Sequence, residues 1–136
     1  MSIEVRGVAP LFQIFDMPTS IRFYRDVLGF AVVSTSPHLS EDPDDVDWAM
    51  LRLDETEVML NTRYERPERP SAPDAARVEA HDDASLYFGC PDVDAAYHHL
   101  LDKGVVVKPP HVAHYGMKQL YVKDPDGFVL CFQWRA

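Results

Sequence analysis

The chain has 136 residues, 46% of them hydrophobic, and a net charge of −9. That length suits one domain that buries about two thirds of its unfolded surface, so a core is available without cross-links. The acidic balance, with a pI near 4.9, argues against nucleic acid or an anionic membrane as the partner, since both call for a basic face.

Cys90 and Cys131 are too few for a disulfide framework, which points to reduced thiols and a cytoplasmic setting. The opening stretch MSIEVRGVAP has no basic segment followed by an apolar run, so no export signal is expected. No apolar run approaches the roughly 18 residues of a membrane span.

In chain order, residues 8–15 are apolar enough for a buried strand. Residues 18–28 follow as a helix, with Ile21, Tyr24 and Leu28 on one face, Asp16 near its start and Gly29 as its stop. A strand is predicted over 31–35. Residues 36–47 carry five acids around Pro43 and are expected to form a solvated loop. They lack the ligand spacing of a calcium-binding loop. Residues 48–53 and 57–62 form a predicted hairpin. Residues 63–83, with Pro67, Pro70 and Pro73, are expected to be a linker. A strand over 84–90, a helix over 92–103 stopped by Gly104 and a strand over 105–108 follow. A hairpin of 117–123 and 128–134 turns across Asp124-Pro125-Asp126-Gly127. Residues 5–62 and 84–134 therefore have the same β-α-β-β-β order. Asp16 to Gly29 spans thirteen positions and Asp92 to Gly104 twelve. An internal duplication accounts for this.

The stretches FDMPTSIRFYRDVLGF, PDVDAAYHHLLDKG and YVKDPDGFVLCFQW resemble the vicinal oxygen chelate superfamily of glyoxalases, bleomycin-resistance proteins and extradiol dioxygenases. The resemblance implies an α+β fold, in which two βαβββ modules form one domain and their curled mixed sheets make a cup. It also implies a homodimer. Fold alone leaves the chemistry open.

Strand alternation selects the side chains that would line such a cup. Leu51, Leu53, Val58, Leu60, Leu120, Val122, Leu130, Phe132 and Trp134 form the packed set. The opposite parity gives Gln13, Phe15, Trp48, Met50, Met59 and Asn61 in the first module. In the second it gives Ser85, Tyr87, Gln119, Tyr121, Cys131 and Gln133. A place at the rim is expected for His114 or Tyr115, whereas His98 and His99 belong to the helix surface.

Metal-using members of the superfamily draw ligands from the first and last strands of each module. The resemblance puts those positions at Ala9, Met59, Ser85 and Cys131, which are not a donor set for a divalent ion. A slip of two residues would bring in Gln13, Glu57, Tyr87 and Gln133. The expectation is a protein with no cofactor or metal, binding a small aromatic or cationic molecule as bleomycin-resistance proteins do. The alternative is a glyoxalase-like or dioxygenase-like enzyme with divergent ligands, or a metal-free isomerase using His114 or Tyr121 as acid or base. No catalytic residue is assigned.

Overall fold

The computed structural model describes residues 1–136. They divide into two units, Met1–Ser71 and Ala72–Ala136.

In the first unit, β1 (Leu11–Ile14) leads into helix α1 (Met17–Arg22), followed by β2 (Ala31–Thr35), β3 (Trp48–Leu53) and β4 (Thr56–Thr62). The sheet order is β1-β4-β3-β2. The β1–β4 pair is parallel and the other two pairs are antiparallel. One face carries Phe12, Ile14, Ala49, Leu51, Val58 and Leu60, all buried, as are Ile21 and Tyr24 of the helical segment. Each large apolar side chain so buried contributes about 1.5–3 kcal/mol. Leu53, expected in that set, is half-buried at the end of its strand. The first strand is shorter than predicted, and Val8 lies exposed outside it.

Asp16 caps α1 by accepting from the Thr19 amide at 3.1 Å and from the Thr19 hydroxyl. The helix then widens into π-type turns over Phe23–Leu28 and stops at Gly29, whose φ is +98°. The widening absorbs the extra residue that separates the thirteen-position interval from the twelve-position one, since a π-turn holds one more residue than an α-turn. Phe30 then donates back to the Tyr24 carbonyl at 2.9 Å, and its ring meets Tyr24 edge-on.

The acidic loop is not simply solvated. Asp42 accepts from Arg22 at 2.7 Å, Asp44 from Arg25 at 2.8 Å and Asp45 from Arg66 at 2.6 Å. Asp44 is buried. Three arginines thus pair with three of the five acids that composition alone would leave in water.

The second unit repeats the topology. It contains β5 (Ser85–Gly89), helix α3 (Val93–Asp102), β6 (His111–Val112), β7 (Met117–Lys123) and β8 (Val129–Arg135), with sheet order β5-β8-β7-β6. Asp92 caps α3 through the Ala95 amide. Gly104, at φ +80°, ends it, with Val105 donating to the Leu100 carbonyl and Gly104 to Leu101. Leu120, Val122 and Leu130 are buried, and Phe132 stacks on Phe88 at 4.9 Å. Trp134 stays partly exposed.

Two expectations fail here. Residues 105–108 form no strand, and Val106 is fully exposed. The edge strand is His111–Val112, paired with Gln119 and Lys118. Pro109 and Pro110, which have no backbone N–H, separate the valine run from that ladder. The segment read as a linker also carries structure, namely helix α2 (Ala75–Ala80), capped by Asp74. His81 just beyond it stacks on Phe128 with ring centroids 4.0 Å apart. Its Nδ1 lies 2.6 Å from the Asp126 carbonyl oxygen, so that nitrogen carries the donated proton. The turn between β7 and β8 is closed by Asp124, whose carboxylate accepts from the Asp126 and Phe128 amides, both at 2.9 Å. No helix is long and apolar enough to cross a membrane.

Candidate functional site

In the first unit, the face away from the packed one is ordered by cross-strand register. Gln13, Asn61 and Trp48 form one row, and Leu11, Met59 and Met50 form the next. Asn61 donates from its amide to Gln13 Oε1 at 3.2 Å. Phe15 ends apart from these rows. The Arg69 guanidinium lies 4.4 Å over its ring, Tyr64 meets it edge-on, and Arg69 also pairs with Asp16 at 3.0 Å.

The second unit gathers its side chains more tightly. Register aligns Tyr87, Cys131 and Tyr121 in one row, and Gly89, Gln133, Gln119 and His111 in the next. Gln119 is the hub. Its amide nitrogen donates to the Tyr115 hydroxyl at 2.7 Å and to Gln133 Oε1 at 3.0 Å. Its oxygen accepts from the Tyr121 hydroxyl at 3.2 Å. The Tyr87 hydroxyl lies 3.1 Å from that of Tyr121, close enough for a hydrogen bond between the two phenols. The imidazole of His111 stacks on Tyr121 with centroids 5.9 Å apart. Tyr87, Tyr115 and Tyr121 nevertheless keep 53%, 58% and 38% of their surface exposed, so the cluster offers rings to solvent while Gln119 is 2% exposed.

Parity places Gln119 on this face, but Gln119 is not a free orienting group. All three of its amide contacts are spent inside the protein. His114 is exposed, and its contact is with the ring of Tyr115, so Tyr115 is the rim residue that joins the cluster. Ser85 lies at the other end, opposite Val129. His111 is not expected on this face from the sequence, because the edge strand predicted at 105–108 lies instead at His111–Val112. The Pro109-Pro110 pair was the available signal.

Beside the cluster, along β7, lies a cavity of about 810 Å³ bordered by Val105, Val107, His111, Gln119, Tyr121 and Val129. Its size falls within the usual range for small-molecule sites. The hydrogen bond shared with Tyr87 pushes the Tyr121 phenol above its ordinary value, with burial and nearby Cys131 adding to the effect. Burial pushes the Cys131 thiol up, although a hydrogen bond with Tyr121 pulls the other way. Both groups therefore keep their protons at neutral pH, the opposite of an activated base or nucleophile.

The positions that correspond to metal ligands do not fit a divalent ion. Met59 stands across from Leu11, and Cys131 across from Tyr87. Neither neighbour brings a carboxylate or an imidazole, and no three His, Cys, Asp or Glu residues converge anywhere.

Residues 9–132 match the model of the Glyoxalase/Bleomycin resistance protein/Dioxygenase superfamily, and the chain belongs to that family. No curated protein sequence matches it. Among solved structures it is similar to TnmS3, an antibiotic binding protein from Streptomyces sp. CB03234. That match has 20% identity and a TM-score of 0.71 and covers 99% of this chain and 100% of that one. A bleomycin resistance determinant encoded on the transposon Tn5 matches at 16% identity and a TM-score of 0.70, over 96% and 98% of the two chains. TioX from Micromonospora sp. ML1 matches at 17% identity and a TM-score of 0.69, over 96% and 100%. At these identities the likeness is one of fold.

Proposed function

We propose that this chain is a small-molecule-binding member of its superfamily, of the bleomycin-resistance type rather than an enzyme, and that it works without a bound metal. The observation that carries the reading is the self-satisfied cluster of Tyr87, Tyr115, Gln119, Tyr121 and Gln133 beside the cavity. Its polar atoms fix the rings in place, and the exposed ring faces are what a flat ligand needs for stacking. The protonated state of Tyr121 and Cys131 fits binding better than proton abstraction. The antibiotic-binding and bleomycin-resistance proteins of similar fold support the same reading.

The reading includes one functional domain with its modules at about 5–62 and 84–134, a homodimer, and a cytoplasmic setting in which both free cysteines stay reduced. Light scattering should give twice 15.5 kDa.

A thermal-shift screen of aromatic compounds, with hits mapped by amide chemical shifts, tests the site. Hits should perturb residues 107, 111, 119 and 121, which border the cavity, and lose affinity in Tyr121→Ala. Hits that map elsewhere, or bind Tyr121→Ala unchanged, would sink the reading. Elemental analysis of the purified protein should find no stoichiometric transition metal. About one Zn, Ni, Fe or Mn per chain, removed by chelation together with stability, would overturn the metal-free part.

A further inference from the structure

The net charge of −9 suggests that the chain attracts cations. The cavity beside β7 has the opposite local character. Lys108 and Lys123 both border it, and neither is in an ion pair. Lys118, one strand position from Gln119, is by contrast engaged by Asp94 at 2.6 Å. The one acid at the cavity is Asp82, so its charged lining is two lysines against one aspartate.

Apart from His111, Gln119 and Tyr121, the rest of the wall is apolar. Val105, Val106, Val107 and Pro109 run past β7 without pairing to it, and Val106 is fully exposed. The aromatic groups are Tyr121 and the imidazole stacked on it.

We propose that this cavity takes a planar aromatic ligand bearing a carboxylate or similar anionic group, its ring against Tyr121 and His111 and its charge toward Lys108 and Lys123. The inference rests on the small-molecule reading above and narrows it from an aromatic or cationic ligand to an aromatic anion. Lysine heads supply charge-assisted bonds to the anion, while their stems and the valine wall cover the ring.

The test uses three probes of one shape on the full-length chain at fixed low salt: 2-naphthoate, 2-naphthamide and 2-naphthylmethylammonium. Amide shifts locate each probe and give its affinity. Naphthoate should perturb residues 105–109 and 119–123 and bind about tenfold tighter than the ammonium probe, the effect of one charge-assisted hydrogen bond. The Lys108→Gln/Lys123→Gln double variant should bring that ratio close to one. Two results would overturn the inference yet leave the small-molecule site standing. One is that all three probes bind at these residues with no preference for the carboxylate, or with a preference for the ammonium. The other is that the double variant keeps the wild-type ratio. If none of the three perturbs this region, both readings fail.

Discussion

Gln119 concentrates what is unusual about this protein at the level of single residues. A neutral amide is buried in the sheet with both of its ends used. Truncation to Ala would strip partners from Tyr115, Tyr121 and Gln133 at once. Both tyrosine hydroxyls are exposed enough to turn to water, so the cost is the net worth of the lost bonds, about 0.5–1.5 kcal/mol each. Chemical denaturation of Gln119→Ala should therefore show a loss of that order, whereas Tyr115→Phe, at the exposed end of the chain of bonds, should lose less. Equal stability of Gln119→Ala and wild type would mean that the cluster is not formed in solution. Cys131 gives a second expectation. It is fully buried with a raised pKa, so alkylation at neutral pH should be slow and should speed up only on unfolding. Rapid modification of Cys131 in the native protein would contradict the buried, protonated thiol.

The two modules share their element order and strand pairing and differ in detail. The first helix fits one extra residue by widening over Phe23–Leu28, whereas α3 stays regular between buried Val93 and Leu100. Deleting exposed Asp26 from the widened turns should let them close toward the α geometry of the second module. Deleting exposed His98 should instead rotate Leu100 out of the core. The melting temperature should fall less for the first deletion than for the second, and the reverse order would mean that the widening is required by packing.

The turn between β7 and β8 gives a sharper contrast. Gly127 has φ +86°, and a Cβ there would stand 2.6 Å from the Val78 carbonyl oxygen. Gly29 has φ +98° with open space around it. Gly29→Ala should cost about 1–2 kcal/mol from backbone strain alone. Gly127→Ala adds a backbone clash and should cost distinctly more in denaturant melts. Sequence legibility at this scale followed local signals. Caps, glycine stops and strand alternation were readable because each depends on a few adjacent residues. The docking of Val78 and His81 on the turn was not, because it joins segments more than 40 residues apart.

For the whole molecule, acidity and stability are linked through a few carboxylates. Burial raises the pKa of Asp16, but the hydrogen bonds from Thr19 and the Arg69 charge outweigh it and hold the group below its ordinary 3.8. Hydrogen bonding from Arg66, then from Ser40, holds Asp45 below the same value. The unfolded chain therefore takes up protons first as pH falls. The contribution of these groups is complete above about pH 4 and is lost as pH drops through their folded values. Thermal melts between pH 6 and 2.5 should show a decline on the acid side of about pH 4, shallower in Asp45→Asn than in wild type. An unchanged slope in that variant would mean that the Asp45–Arg66 pair contributes nothing in solution, as many exposed pairs do not.

The sequence by itself determined the family, the repeated element order and the face on which each strand residue lies. Those follow from short-range periodicity, from Asp and Gly at helix ends and from one turn motif. It also placed Gln119, Tyr121, Cys131 and Gln133 on a common face, because a sheet side chain's direction alternates with its position. Only the tertiary structure decided what those side chains do there. It turned Gln119 from a solvent-facing group into a buried hub and chose Tyr115 over His114. It moved the edge strand from residues 105–108 to His111–Val112, and it brought two lysines to a cavity in an acidic protein. Each of these depends on which distant segments meet, and neither composition nor periodicity encodes that meeting.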